Sequence, residues 1–224
     1  MTVRLGNEFG PKIVAIGGAV VKTRASEALK DLVRRGEIKA LIHNGGSIFH
    51  DFQIATEPEV RKYASNSYPL SELSKDYSCN RAASMLLWGW IRGEVEAPID
   101  SLTRRCTDRK IPVLMFTALG CDFWQLYSSQ WSKFAYRSQV DFQSLCHLMK
   151  EPFHYICMGS AVIHPEVFAK AFAVVKPEPG TFRADVVDFL DMYRPRTRVA
   201  KYGHYYQVEH CDFTKMWLEE TRNS

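Results

Sequence analysis

The strongest constraint in this sequence is a short apolar run, an amphipathic stretch and a second apolar run in close succession. Lys12–Ile16 and Ile38–His43 are rich in β-branched and aliphatic residues, as buried strands are. Between them, residues 26–35 place their apolar side chains on one helical face, and Gly36 follows as a natural helix end. Strand, helix and strand in this order predict a βαβ unit, which joins two parallel strands by a right-handed crossover.

The same alternation continues along the chain. Further strands are predicted over residues 111–117, 154–158 and 186–190, and further helices over residues 80–91, 98–109, 140–150, 165–175 and 213–221. With 46% hydrophobic residues, the chain can bury a substantial core. We therefore predict an α/β, doubly wound, mostly parallel sheet with helices on both faces, Rossmann-like, formed as one domain by residues 1–224.

Composition excludes several classes of protein. The net charge of +4 is too small to indicate a nucleic-acid partner. No run approaches the ~18 apolar residues that a membrane helix needs, and residues 1–12 lack the apolar segment of a signal peptide. The six cysteines show no C-x-x-C spacing and lie mostly in apolar stretches. We expect a cytoplasmic, disulfide-free protein with no nucleic-acid or membrane partner.

Glycine-containing turns follow three of the predicted strands, and a fourth turn carries a carboxylate. In open α/β sheets, ligands bind beyond the carboxyl ends of the strands, where glycine lets the backbone approach them closely. The alternative is that each glycine only ends its strand. No G-x-G-x-x-G or P-loop motif is present, so a nucleotide is suggested but not specified. The candidate cofactor-binding residues are Gly17, Gly18, Asn44, Gly45, Gly46, Asp122, Gly159 and Ser160; His164 and Glu166, after the third turn, are candidate substrate contacts.

Two polar segments are candidates for chemistry. His50 and Asp51 are a candidate catalytic pair, in which the carboxylate orients the imidazole for proton transfer; alternatively, Asp51 caps a helix beside an unrelated histidine. Arg194 and Arg196 lie in a basic segment that can clamp a carboxylate or phosphate, or form a subunit contact. Residues 209–212 are rich in potential ligands, but their spacing does not fit a metal site, so no metal is predicted.

Four segments, in this order along the chain, resemble the bacterial deoxyhypusine synthase-like family: residues 40–52, 118–122, 159–168 and 193–197. The resemblance implies an NAD-binding fold, assembled as a homotetramer with sites at subunit interfaces. It also implies that the glycine turns contact the dinucleotide, that Glu209 and His210 lie near a further cofactor-contacting segment, and that His50 and Asp51 replace acidic residues near the polyamine. Authentic deoxyhypusine synthases oxidise spermidine with NAD and pass its aminobutyl group through an imine on an enzyme lysine.

This chain departs from that family at the lysine. The corresponding stretch carries Arg194 and Arg196, and a guanidinium stays protonated, so it cannot replace an amine nucleophile. A more distant resemblance, carried by His43-Asn44 and His50-Asp51, is to the NAD-dependent ornithine cyclodeaminase domain of arginine-degrading enzymes.

The function expected from these resemblances is NAD-dependent chemistry on an amine-bearing small molecule, either a polyamine or a basic amino acid. Transient oxidation would be followed by group transfer, elimination or cyclisation, with His50 as the base and the two arginines holding an anionic group. A non-catalytic NAD-binding oligomeric scaffold is the alternative. A metal-dependent hydrolase using His204, His210 and Asp212 is a third and remoter hypothesis.

Overall fold

Six strands form one parallel sheet in the order β3-β2-β1-β4-β5-β6. The structure is a computed structural model that describes residues 5–6, 8–56, 81–116 and 131–222. The strands are β1 Lys12–Ile16, β2 Ile38–Asn44, β3 Val113–Phe116, β4 Phe153–Met158, β5 Phe182–Asp188 and β6 Tyr205–Gln207. This order confirms the predicted doubly wound α/β fold, because the chain winds outward from β1 in one direction and from β4 in the other.

Helices cover both faces of the sheet. They are α1 Gly18–Lys22, α2 Ala25–Arg34, α3 Gly45–Thr56, α4 Arg81–Ile91, α5 Leu102–Asp108, α6 Trp131–Leu148, α7 Ile163–Val175, α8 Tyr193–Arg198 and α9 His210–Glu220, with a 3₁₀ turn at Ala200–Tyr202. Alternate residues of β1 belong to two separate cores. Val14 and Ile16 pack with α2 and α9, whereas Ile13 and Ala15 pack with α6 and α7.

Burial on both faces explains why the sequences of the central strands are nearly continuous apolar runs. Every residue of β1 and of β4 is buried, as expected for a parallel sheet covered on both faces. The predicted apolar face of α2 is confirmed, since Leu29, Leu32 and Val33 are fully buried. The register pairs Ala15 with both Ile42 and Cys157, which aligns the carboxyl ends of the three central strands.

Several predicted boundaries are wrong. The helix predicted over residues 140–150 begins at Trp131, and the strand predicted over 186–190 is Phe182–Asp188. The helix predicted to begin at residue 98 begins at Leu102, because the Ser101 hydroxyl accepts a hydrogen bond from the Arg104 amide and caps the helix there. Helices α1, α3 and α8 and strand β6 were not predicted.

The structure bears on the expectations about membrane helices and about cysteines. Within the described ranges, no helix is both long enough and apolar enough to cross a membrane. The described cysteines, at positions 106, 146, 157 and 211, are free thiols. Burial raises the pKa of the Cys106 and Cys157 thiols, so both stay protonated at neutral pH.

Candidate functional site

The carboxyl ends of β1 and β4 lie side by side at the centre of the sheet. The chain leaves β1 toward β2 and leaves β4 toward β5, in opposite directions along the sheet. Such a switch in direction opens a crevice outside the carboxyl ends of the two strands, where ligands of open α/β proteins bind. The turn after β1 begins at Gly17, and the turn after β4 begins at Gly159.

These two glycines meet at a backbone contact that no larger residue permits. A Cβ atom added to Gly17 would lie 1.7 Å from the carbonyl oxygen of Gly159. The Gly17 amide donates to the Met158 carbonyl at 2.8 Å, and Gly159 has a φ of +60°, which favours glycine. The glycine requirement here therefore comes from the crossing of two turns at the switch point.

The third glycine turn lies against the first. A Cβ added to Gly18 would lie 3.7 Å from the carbonyl carbon of Gly46 and 3.4 Å from Cδ2 of His50. The three turns thus converge on one edge of the sheet, and their role as cofactor contacts stays a prediction. Asp122, in the fourth turn, lies outside the described residues.

The predicted turn at residues 44–46 is in fact the start of α3. The Asn44 side-chain oxygen accepts a hydrogen bond from the Ser47 amide at 2.8 Å, and the Ser47 hydroxyl accepts one from the Asn44 amide at 3.0 Å. This reciprocal capping begins the helix at Gly45. The Asn44 side-chain NH₂ has no partner among the described residues, so it can still donate to a ligand.

His50 is buried beside this turn. Its Nδ1 lies 3.2 Å from the side-chain oxygen of Gln53, which places a proton on Nδ1. Burial, with a smaller contribution from the positive charge of Lys22, lowers the pKa of His50 to about 3, although the hydrogen bond to Gln53 opposes the shift. His50 is therefore a neutral imidazole at physiological pH.

The prediction that Asp51 orients His50 is wrong, and the helix-capping alternative is confirmed. Asp51 Oδ1 accepts the Leu102 amide, and Oδ2 accepts both the amide and the hydroxyl of Thr103, all at 2.7–2.8 Å. Both oxygens are thereby committed to the first turn of α5. Burial raises the pKa of Asp51, and these hydrogen bonds to its charged form oppose the rise.

His164 is buried and hydrogen-bonds the end of β1. Its Nε2 donates to the Ile16 carbonyl at 2.9 Å, which links α7 to the end of β1, while its Nδ1 is buried without a hydrogen-bond partner. The Ser160 hydroxyl accepts the His164 amide at 3.3 Å and so caps the first turn of α7. Burial lowers the pKa of His164 to about 4.

His210 lies on the other side of Gly159. A Cβ added to Gly159 would be 3.1 Å from the His210 ring, whose two nitrogens are buried and make no hydrogen bond of good geometry in the described structure. A weaker interaction with the Val187 backbone raises the pKa of the ring, against the larger effect of burial. The nearest charge is Asp188, with Oδ2 4.0 Å from His210 Nε2, and burial lowers the pKa of His210 to about 4. Glu209, the preceding residue, is exposed. Buried polar atoms without partners are rare and call for a ligand or water.

The predicted arginine clamp is already paired with carboxylates. Arg194 Nε lies 3.5 Å from Glu166, and Arg196 Nε lies 2.8 Å from Asp191, with the Arg196 guanidinium over the Tyr205 ring. Both arginine side chains are about half exposed. Arg194, Arg196 and Glu166 therefore form surface ion pairs, and their role as substrate contacts stays a prediction. Such pairs contribute ~0–1 kcal/mol, so their partners exchange readily.

The sequence reasoning missed a buried polar chain beneath the site. His43 Nδ1 lies 3.0 Å from the Ser47 hydroxyl, and His43 Nε2 lies 3.3 Å from the Thr103 hydroxyl, which donates to Asp51. This chain ties β2 and α3 to α5, and burial lowers the pKa of His43 to about 3. The available signal was a histidine that directly follows the buried apolar residues 40–42 of β2.

The hydrolase hypothesis finds no metal centre in the described ranges. No three His, Cys, Asp or Glu residues there converge to hold an ion, so His204, His210 and Asp212 do not form a metal site together. The His204 side chain is 69% exposed and stacks on Tyr206, away from the buried His210.

Comparison with known proteins supports the fold. No protein-family model and no curated protein matches the sequence. Among solved structures, a conserved putative LOR/SDH protein from Methanococcus maripaludis S2 is similar over 96% of this chain, with a TM-score of 0.63 and 14% identity. ArgZ, an arginine dihydrolase from the ornithine-ammonia cycle in cyanobacteria, is similar over 97% (TM-score 0.58, 16% identity). AgrE, solved with ornithine and NAD+, is similar over 95% (TM-score 0.59, 14% identity).

These likenesses show the fold and no more. The chain spans 63% of the LOR/SDH protein and 30% of ArgZ and of AgrE. A Rossmann-like α/β architecture is therefore established, and the resemblance to deoxyhypusine synthase-like proteins stays a prediction.

Proposed function

We propose that this protein is an NAD-dependent enzyme acting on a small amine-bearing molecule, with a basic amino acid as the preferred class. The observation that carries the proposal is the crevice between β1 and β4. There two glycine turns touch, and the buried rings of His164 and His210 together hold three nitrogens without hydrogen-bond partners. The sheet order places this crevice where doubly wound folds bind dinucleotides.

The residues around the crevice fit a dinucleotide in shape and polarity. The absence of side chains at Gly17, Gly18 and Gly159 lets an extended ligand lie against the backbone. The Asn44 side-chain NH₂ offers a hydrogen bond to its polar groups. The unpartnered nitrogens of His164 and His210 are fully buried, so they reach the ligand only if the turns that cover them move on binding. When bound, NAD supplies hydride-transfer chemistry; the protein supplies binding, orientation and proton movement.

Two independent lines support the proposed substrate class. AgrE was solved with ornithine as well as NAD+, and ArgZ is an arginine dihydrolase. In this chain, the carboxyl group of Asp188 ends β5 4.0 Å from His210; it is 3% exposed and burial raises its pKa, so a substrate ammonium beside it would stabilise its charged form. His50, a neutral imidazole against Gly18, is the candidate to accept a proton from that ammonium or from a neighbouring carbon.

Transfer through an enzyme lysine, as in authentic deoxyhypusine synthases, has no support at α8. That helix contains arginines and no lysine, and a guanidinium does not form an imine with an oxidised amine. We therefore favour elimination or cyclisation of the substrate over transfer to a protein. A homotetramer remains part of the proposal, and size-exclusion chromatography with light scattering tests it directly.

Cofactor binding is tested first, by calorimetric titration with NAD+ and by assay of nucleotide released on denaturation. His210→Phe keeps the ring volume and removes both nitrogens, so we expect about a tenfold or greater loss of affinity. His204→Gln, at an exposed site in the same region of the chain, is the matched control and should bind normally. Failure of the unaltered protein to bind or release NAD would overturn the proposal.

Catalysis is tested with ornithine, arginine and spermidine, by following absorbance of the reduced cofactor and by chromatographic analysis of the products. We expect turnover with one of the amino acids, and its loss in His50→Gln while NAD affinity is retained. Cofactor reduction or product formation with spermidine alone would contradict the proposed substrate class.

The scaffold alternative rests on one observation. His50 is only 5% exposed and has a pKa of about 3, so it is a weak base in this conformation. NAD binding without turnover of any of the three amines would favour a non-catalytic oligomer.

A further inference from the structure

The end of β2 is the place where a sheet of this strand order meets the adenosine ribose of a dinucleotide. In doubly wound sheets with this order, the turn after β1 lies against the pyrophosphate, and a residue that follows the second strand contacts the ribose. In this chain β2 ends at Asn44. The preceding residue, His43, pairs in register with Ile16, so Asn44 lies level with Gly17 at the ribose position.

The chemistry of the residue at this position decides which dinucleotide binds. A carboxylate there accepts hydrogen bonds from the ribose hydroxyls of NAD and repels the 2′-phosphate of NADP. This chain has the neutral amide of Asn44 instead. The amide oxygen already accepts the Ser47 amide at 2.8 Å, so the group left for a ligand is the NH₂, a hydrogen-bond donor. A donor suits phosphate oxygens and removes the repulsion.

The segments that form this side of the crevice carry no acidic side chain. Residues 17–22 and 44–50 contain neither aspartate nor glutamate. Lys22 ends the first segment, and its positive charge acts on His50 in the second, since it contributes to the lowered pKa of that ring. A phosphate beside Asn44 would therefore meet no like charge from either segment.

Space and the helix dipole also favour a phosphate beside Asn44. Among the described residues, a Cβ added to Gly46 would meet only the Asn44 side-chain oxygen within 4 Å, at a distance of 3.6 Å. The position lies at the start of α3, a helix of twelve residues whose dipole makes the potential at this end more positive.

We propose that Asn44 sets the cofactor preference of the crevice, so that it admits the 2′-phosphate and binds NADP+ as well as NAD+. The Asn44 NH₂ donates to the phosphate, which lies beside the first turn of α3. This inference rests on the proposed function of the crevice and adds the form of the dinucleotide that it accepts.

Calorimetric titrations of the full chain with NAD+ and with NADP+ test the proposal. We expect the dissociation constant for NADP+ to be lower than that for NAD+ or to exceed it by no more than about tenfold. Asn44→Asp keeps the shape of the side chain and its capping oxygen, because aspartate caps a helix as well as asparagine does. Its carboxylate should weaken NADP+ binding by about tenfold or more and leave NAD+ binding unchanged or tighter.

Gln143→Glu is the matched control, because it makes the same change from amide to carboxylate at an exposed position of α6. It should alter neither affinity. The inference is overturned, with the proposed function intact, if the unaltered protein binds NADP+ more than about tenfold more weakly than NAD+. It is also overturned if Asn44→Asp leaves the ratio of the two dissociation constants unchanged, or if Gln143→Glu shifts that ratio equally. If neither nucleotide binds, the proposed function fails as well.

Discussion

Substitution of Gly17 by alanine should damage the centre of the molecule although it adds one methyl group. The new Cβ would lie 1.7 Å from the Gly159 carbonyl oxygen, whereas real Cβ contacts stay beyond 3.0 Å. The obstructing atom belongs to the backbone, so no side-chain rotation relieves the overlap. The ends of β1 and β4 must move apart, and the hydrogen bond from the Gly17 amide to Met158 is strained or lost.

The size of the effect follows from two terms. Forcing an extra carbon into a packed interior costs about 1–3 kcal/mol. Leaving a buried backbone donor and acceptor poorly paired costs about 1–3 kcal/mol more. We therefore expect the free energy of unfolding to fall by about 2–6 kcal/mol, which corresponds to a drop in Tm on the order of 10 °C for a chain of this length.

Urea and thermal unfolding, followed by circular dichroism, measure this difference. Gly46→Ala is the matched control at the same edge of the sheet. Its Cβ would lie 3.6 Å from Asn44 Oδ1, an ordinary contact, within a helical turn where alanine is favoured over glycine by about 1 kcal/mol. The control should be neutral or stabilised. Equal unfolding midpoints for Gly17→Ala and the unaltered protein would refute the assigned contact.

Three further predictions test other parts of the structure. Asp51→Ala should lower the free energy of unfolding by about 1–3 kcal/mol, because it removes the acceptor of the buried Leu102 and Thr103 amides. The control Asp31→Ala, at a partly exposed surface ion pair, should change it by less than about 0.5 kcal/mol, and equal urea midpoints for the two variants would contradict the role of Asp51. Phe168→Ala should cost about 3–5 kcal/mol in thermal unfolding, since the ring is fully buried against Tyr155; a loss below about 1 kcal/mol would count against the described packing. The free energy of unfolding should also fall as the pH is lowered from about 7 to about 5, by about 2 kcal/mol in total for each buried histidine, since the full slope of about 1.4 kcal/mol per pH unit is reached only below about pH 6.5. The pKa values lie at about 3 to about 4 in the folded protein, against an ordinary value of 6.5, so the unfolded chain takes up protons first. A urea midpoint independent of pH would exclude this linkage.

The fold was predictable because the strands of a covered parallel sheet are recognisable in the sequence as continuous apolar runs. Strands such as β1 and β4 are covered on both faces, so nearly every residue is apolar, and the helix between β1 and β2 shows its buried face by period alone. Short elements escaped this reasoning. Strand β6 has three residues, of which one is buried, and α8 has six, which is too few for a periodic signal.

The candidate site was only partly predictable, because its side-chain partnerships join distant parts of the chain. The glycine turns were found, since each follows a strand. The partner of Asp51 is the start of α5, about fifty residues later, and adjacency in sequence to His50 gave the wrong partner. Likewise, the pairing of Arg194 with Glu166 depends on how α8 packs beside α7, which no local pattern encodes.

The protonation state of the crevice agrees with the proposed ligands. His50, His164 and His210 are all neutral near pH 7, because burial lowers the pKa of each to about 3 or about 4. The oxidised nicotinamide ring and the ammonium of a basic amino acid are both cations. Imidazolium rings at these positions would repel both, whereas neutral rings leave the carboxylate of Asp188 as the nearest charge to His210. Because these rings stay neutral in the folded protein down to about pH 5, a change from about pH 7 to about pH 5 should affect NAD+ and NADH affinity equally, and parallel titrations of the two nucleotides at the two pH values measure this. Weakening of NAD+ binding alone would show that one of the rings is protonated in the folded protein and would contradict the assigned neutral state.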